Sequence, residues 1–182
     1  MIGATIFLES GWPVLFSQTR VGRSGKLFRL LKFRTMYQGM RGPLITARGD
    51  CRITRAGKVL RRLKLDELPQ LWHVVRGQMS LVGPRPELPD FVDLSNPIWR
   101  EVLRVRPGIT DSVSLAYRNE EELLATVPDP LRFYKQILLP EKLQRNLAHL
   151  GNRSLWNDMQ VLMRSVRCLA FPDNSKPTHT GS

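Results

Sequence analysis

An α+β fold, with a small β-hairpin or sheet surrounded by helices, is what this sequence predicts. Three observations carry that prediction. Two segments rich in strand formers flank a glycine-containing turn near the start; later segments place apolar residues at helical spacing; and no internal repeat divides the 182 residues. A chain of this length buries a reasonable core, and its 42% hydrophobic content is ordinary for a folded protein. Residues 1–170 read as one domain, and the tail FPDNSKPTHTGS reads as disordered.

The hairpin comes first. Residues 14–21 (VLFSQTRV) and 27–35 (LFRLLKFRT) are the strands, and GRSGK between them is the turn, with Arg20, Arg29, Lys32 and Arg34 decorating it. Residues 37–50 hold three glycines and a proline and read as a mobile loop. A helix follows from Thr54 to Leu63, with Thr54 as its N-cap. A second should begin near Asp66 as N-cap, which places Pro69 in the first turn, where its missing N–H is tolerated. Leu68, Leu71, Trp72 and Val75 then form a buried stripe.

Beyond Pro86 the chain reads as loop-rich up to Arg104, and RVRPGITD (residues 104–111) reads as a basic turn. After Glu120 it becomes helical, with a break at Pro128–Pro130, a helix from Leu139 to Asn152 stopped by Gly151, and another from Leu155 to Ala170. In the last, Leu155, Met159, Leu162, Met163 and Val166 share one side beside Arg153, Arg164 and Arg167. A half-buried core helix is the first reading of that pattern and a membrane-interface helix the second. Trp12, Trp99 and Trp156 divide the same way between core and lipid interface.

Charge placement narrows the partner. The net charge is +12, and the segment from Arg20 to Lys64 carries 14 Lys and Arg against one acid, Asp50, so the rest nearly balances. One electropositive face implies an anionic partner: nucleic acid, anionic lipid or a phosphorylated substrate. Two cysteines, Cys51 and Cys168, cannot build a disulfide framework or a cysteine-only metal site, which fits reduced thiols in a cytosolic environment. No segment approaches the roughly 18 apolar residues of a membrane span. The start, MIGATIFLESGWPVLF, lacks the basic region of a signal peptide and reads as the end of a longer helix.

The stretch LDELPQLWHVVRGQMSLVGPRP, residues 65–86, holds the chemistry. Asp66 and Glu67 are adjacent carboxylates at a helix start, where the positive end of the helix dipole favours the ionised form a nucleophile needs. Arg85, between two prolines, lies 18 residues beyond Glu67. In isolation an acid pair at a helix start is a cap and a Pro-Arg-Pro tripeptide a rigid turn; the surrounding sequence raises both to candidate site residues. His73, within LWHVV, reads as a hydrogen-bonded helix residue rather than a base or metal ligand.

Four blocks together resemble the bacterial sugar transferases called monotopic phosphoglycosyl transferases: PVLFSQTRVGRSGKLF (13–28), KFRTM (32–36), RITRAGKVLRRLKLDELPQLWHVVRGQMSLVGPRPELP (52–89) and RPGIT (106–110). The likeness runs from Gly11 to about Ala170. It implies transfer of a sugar phosphate from a nucleotide diphosphate sugar to polyprenyl (undecaprenyl) phosphate, with release of a nucleoside monophosphate, in exopolysaccharide, O-antigen or related glycan assembly. Asp66 is then the nucleophile that forms an acyl phosphate, and Glu67 the second acid, the two also holding Mg2+. Lys32, Arg61, Arg62, Arg85 and Arg106 become phosphate or nucleotide contacts, and Asp158 an additional family acid. Carboxylate attack on a diphosphate meets repulsion, so cations must first neutralise the phosphate oxygens.

The resemblance also implies the cytoplasmic face of the bacterial inner membrane, with several amphipathic helices at the interface. It further implies an N-terminal re-entrant helix of which residues 1–12 would be the remnant. Members of the family usually carry Ser or Thr where Lys64 stands and Gly where Asp111 stands, so capping before the acids and the turn after RPGIT are expected to differ here. A truncated or inactive relative is the second reading. A basic nucleic-acid-binding module is the third and leaves the DELPQ and GPRP blocks without a purpose, so no nucleic-acid partner is expected.

Overall fold

The computed structural model of the chain describes residues 1–40 and 42–170, and the expected disordered tail lies outside the described residues. The fold is α+β, as the sequence predicts. An N-terminal helix, α1 (Ile2–Ser10), buries Ile6 and leads into a hairpin of β1 (Leu15–Val21) and β2 (Leu27–Phe33). The strands pair antiparallel from Leu15 opposite Phe33 to Val21 opposite Leu27, and a single 3-10 turn at Arg23–Gly25 reverses the chain. Residues 37–50 form turns and bends without a regular element among the described residues.

α2 (Arg55–Arg62) begins where the sequence places it, because the Thr54 hydroxyl accepts from the Gly57 N–H at 2.8 Å. The start of α2 is also tied to α1: the Glu9 carboxylate accepts from the Arg55 and Ala56 N–H groups at 2.8 and 2.9 Å. The buried Arg34 guanidinium closes the other end of that junction. It donates to the Ser10 carbonyl (2.7 Å), the Ser10 hydroxyl (3.0 Å) and the Gly11 carbonyl (2.5 Å), satisfying acceptors that a helix C-terminus leaves open.

The expected helix at Asp66 takes a different form. Residues Leu65–Gln70 wind as a 3-10 turn entered through Lys64 in the left-handed conformation, and only Leu71–Val75 is α-helical (α3). Asp66 therefore lies inside the turn rather than capping it. Pro69 has no N–H to continue an α-type ladder through the segment, which favours the tighter winding. The stripe is also inverted. Leu68, Leu71, Trp72 and Val75 are exposed, Val75 at 78%, while Glu67, Gln70 and His73 are buried. The polar face can go inward because its members find partners: His73 Nε2 accepts from the Leu31 N–H at 3.1 Å, so the ring proton sits on Nδ1, 2.8 Å from Gln78 Oε1.

β3 (Ser80–Val82) pairs in parallel with β4 (Gly108–Thr110), which the sequence reading takes for a basic turn. The pair crosses so closely that a Cβ at Gly108 would collide with the Gly83 backbone, so only glycine fits. Between these strands, where loop was expected, α4 (Pro97–Val102) is capped by Asn96, whose side chain accepts from the Ile98 N–H. Short helices α5 (Ser112–Ala116), α6 (Glu120–Leu124) and α7 (Pro130–Phe133) follow, with Asp129 capping α7 after the predicted break. A π-helical turn, Tyr134–Leu138, joins α7 to α8 (Leu139–Gly151), and α9 (Leu155–Ala170) completes the described chain.

The main core joins Leu88, Phe91, Trp99 and Val102 to Leu124, Tyr134, Leu138, Leu139 and Leu143; a smaller one joins Phe28, Leu30 and Met79 under the hairpin. Trp99 is thus a core residue, whereas Trp12 and Trp156 are exposed. α9 is half-buried, as first read, but its buried side is not the expected apolar stripe. Val161 is buried against the parallel strands, but Leu155, Met159, Met163 and Val166 face outward, Leu155 at 91%. Among the described residues no helix is long and apolar enough to cross a membrane.

Candidate active site

β2 packs against the 3-10 turn, and that contact builds the site. Lys32, near the end of β2, reaches Glu67 Oε1 at 3.2 Å. Arg85, held in the Pro84–Pro86 loop after β3, forks onto the same carboxylate, with Nη2 2.5 Å from Oε1 and Nη1 3.3 Å from Oε2. Glu67 is only 9% exposed at its side chain, whereas 36% of the Arg85 side chain remains open to solvent. The sequence-predicted Lys32, Glu67 and Arg85 are thus one cluster. Burial alone would raise Glu67, but the charges of Arg85 and Lys32 outweigh it and hold the carboxyl far below the usual range.

Asp66 has the opposite environment. It is buried, and its Oδ1 has no hydrogen-bond partner among the described residues. Burial pushes its carboxyl above the usual aspartate value, helped by the charge of Glu67 and opposed by Lys32, Lys64 and Arg61. Burial thus works against the helix-dipole support for the ionised form that the sequence implies. The two neighbouring acids are driven apart in character, and that is how one site obtains two roles. Glu67 is a fixed counter-charge, and Asp66 is the acid with a free oxygen.

The other predicted residues distribute unevenly. Arg61 lies at the edge of the site, donating to Thr35 Oγ1 at 3.1 Å and to Glu121 Oε1 at 3.0 Å. Arg62 is exposed on α2. Arg106 is exposed beside Gly77, its guanidinium within 4 Å of where a Cβ would project, and does not reach the acid pair. Asp158 pairs with Arg153 at 3.2 Å, and Arg153 also donates to the Val82 carbonyl, so that pair braces the end of β3 rather than joining Glu67.

Asp111, expected to disturb a turn, is buried and caps α5, accepting from the Ser114 N–H at 2.7 Å and the Ser114 hydroxyl at 2.6 Å. Glu87 and Tyr134 were not singled out by the sequence. Glu87 directly follows the Pro-Arg-Pro motif and was legible by position, whereas nothing local marks Tyr134.

Among the described residues no group of three or more His, Cys, Asp or Glu is placed to hold a metal ion. A magnesium ion arriving with a phosphate substrate would need only one or two protein carboxylates, the rest of its shell being phosphate oxygens and water. Both Glu67 oxygens already accept from Lys32 and Arg85, so the unpartnered Asp66 Oδ1 is the donor atom that fits.

The family profile described as bacterial sugar transferase matches residues 1–172. The chain is 37% identical over 169 residues to an Aeromonas hydrophila protein named UDP-N-acetylgalactosamine-undecaprenyl-phosphate N-acetylgalactosaminephosphotransferase, covering 90% of this chain and 37% of that one. It is 36% identical over 176 residues to the UDP-glucose:undecaprenyl-phosphate glucose-1-phosphate transferase of Caulobacter vibrioides, covering 93% and 61%. A Bacillus subtilis protein named uncharacterized sugar transferase EpsL is 33% identical over 178 residues, covering 97% and 79%. The chain thus spans between about a third and three fifths of the length of the first two relatives. With the profile matched along almost its whole length and the acid pair set among cations, the chain belongs to the bacterial sugar transferase family.

Proposed function

We propose that this chain transfers a sugar phosphate from a nucleotide diphosphate sugar to a polyprenyl phosphate, through a covalent intermediate on Asp66. The observation that carries the proposal is the division of labour between the two acids: Glu67 is locked between Lys32 and Arg85 while Asp66 Oδ1 has no partner. The names of the relatives from Aeromonas and Caulobacter support the two substrate classes.

In the first step an Asp66 carboxylate oxygen forms a bond to the sugar-bearing phosphorus. The bond from that phosphorus to the bridging oxygen breaks, and the nucleoside monophosphate leaves with the electron pair. In the second step an oxygen of the lipid phosphate attacks the same phosphorus, the aspartyl bond breaks, and the carboxylate is regenerated. Two bulky substrates then need not meet in one transition state. Lys32 and the open side of Arg85 face the phosphate charge, and Glu67 keeps both cations ordered before substrate arrives. Magnesium, held by Asp66 and substrate phosphates, would supply further neutralisation of the phosphate oxygens.

A membrane surface completes the proposal. α3 and α9 both pack against β3, and each turns apolar residues outward: Leu71, Trp72 and Val75 on one, Leu155, Trp156, Met159 and Met163 on the other. Arg76 lies over the Trp72 ring at 4.9 Å, placing a cation beside an exposed aromatic, an arrangement suited to a headgroup region. On this reading the acid pair opens at the cytoplasmic face of the inner membrane, where a lipid phosphate presents itself.

The test is Asp66→Asn. With a panel of nucleotide sugars, Mg2+ and polyprenyl phosphate, nucleoside monophosphate release should fall by on the order of 10³-fold or more. The wild-type chain given a nucleotide sugar alone should gain the mass of one phosphosugar on the peptide containing Asp66. Release by Asp66→Asn at the wild-type rate removes the nucleophile from the scheme.

A further inference from the structure

The loop that presents Arg85 is fastened from two sides, and one fastening comes from a layer remote from the acid pair. Tyr134 is buried in the main core, its ring 5.3 Å from Phe91, and its hydroxyl donates to Glu87 Oε1 at 2.7 Å. It is the first residue of the π-helical turn Tyr134–Leu138, a local widening that helices retain most often at working sites. From the opposite side the Arg20 guanidinium donates to the Pro86 carbonyl at 3.2 Å and stands 3.9 Å from Glu87 Oε2. The Val21 N–H donates to the Glu87 carbonyl at 2.9 Å.

The charges of Glu67, Glu87 and Asp111 bear on the Arg85 guanidinium. Among these three, Glu67 engages the fork. Asp111 is occupied by the Ser114 N–H and hydroxyl, and Glu87 by the Tyr134 hydroxyl. Each potential competitor has a donor of its own. Burial pushes the Tyr134 phenol far up, so it remains a donor at any working pH. The other charges around the ring do not replace it: Lys142 stands 5.1 Å above the ring and is ion-paired with Glu120.

We propose that Glu87 and Tyr134 are positioning residues for Arg85. The phenol holds the Glu87 carboxylate away from the guanidinium, so that the fork stays on Glu67 and its open side stays available to phosphate. The second half of this statement rests on the transferase reading above; the first does not. Without the hydroxyl, Glu87 Oε1 loses its donor; Arg20 stands at the other oxygen, 3.9 Å from Oε2, and Arg85, two residues back along the chain, is the second guanidinium on which the Glu87 charge bears. Glu67 would then share its partner.

The experiment compares the full chain with Tyr134→Phe, Glu87→Gln and the double variant, in two measurements. In nucleoside monophosphate release, Tyr134→Phe should lose about tenfold in rate, as loss of one hydrogen bond to a charged group predicts. The double variant should recover most of that loss, because the neutral amide that Glu87→Gln introduces no longer competes for Arg85. In nitrogen-15 NMR of the Arg85 guanidinium, Tyr134→Phe should shift the resonances of the fork that engages Glu67, and the double variant should return them.

A double variant as slow as Tyr134→Phe, or Arg85 guanidinium resonances that Tyr134→Phe leaves in place, overturn the proposal. If the wild-type chain releases nothing from any nucleotide sugar, the transferase reading fails while the Arg85 resonances still decide the positioning role.

Discussion

Replacing Glu67 by Gln removes the one negative charge that two cations share, and the structure sets the size of the consequence. Lys32 at 3.2 Å and Arg85 at 2.5 Å would be left facing each other without a counter-ion. Removing one partner of a buried ion pair costs about 3–5 kcal/mol. Water reaches a third of the Arg85 side chain, so the lower end, about 3 kcal/mol, is expected. For a chain of this length that lowers the melting temperature by about 6–12 °C.

The pH dependence follows from the sign of the shift. Glu67 is ionised in the folded protein far below the ordinary value of 4.5, so its contribution is complete above about 4.5 and is lost as pH falls further. The gap between wild type and Glu67→Gln, read from circular-dichroism melts, should therefore be flat from pH 5 to 7 and narrow toward pH 3. A gap under about 2 °C at pH 7, or one that widens in acid, would refute the view that Glu67 is a clamped counter-charge.

Burial pulls the Lys32 ammonium down to about 8, against the pull of Glu67. The cation is lost as pH rises through that value, so release of nucleoside monophosphate should decline above pH 8, and Lys32→Arg should move that decline to higher pH. Gly57→Ala should destabilise by about 1–3 kcal/mol in chemical denaturation, because the new methyl would collide with the Thr35 carbonyl oxygen. Paired substitutions Val75→Asp and Met163→Glu, at exposed positions, should leave the melting curve within about 1 kcal/mol of wild type. They should also reduce co-sedimentation with vesicles containing anionic lipid, and undiminished binding would move the proposed membrane contact elsewhere.

The hairpin was legible because its turn and alternation are local, and so was the Thr54 cap. The acid pair, Lys32 and Arg85 were legible as motifs, yet their division of roles was not. The clamp on Glu67 joins residues 35 and 18 positions away in the chain, which spacing cannot reveal. Helical periodicity located a stripe at residues 68–75 without saying which way it faces. Hydrophobicity argued for inward, but Glu67, Gln70 and His73 are drawn into the interior, where Lys32, Arg85 and the Leu31 N–H supply partners. β3 and β4 are three residues each, too short to show alternation, and they exist because two glycines let their backbones touch. Asn96-Pro97 was a readable helix start that the surrounding loop residues obscured.

The junction made by Arg34 and Glu9 has a mechanical consequence. Arg34 lies two residues past Lys32, and Glu9 grips the helix that runs toward Lys64 and Asp66, so α1 is bolted to both segments that carry the lysine and the acid pair. It cannot pivot independently of them. Whatever torque acts on α1 is passed to those two segments together, and a rigid label on that helix would report their joint attitude like the needle of a gauge.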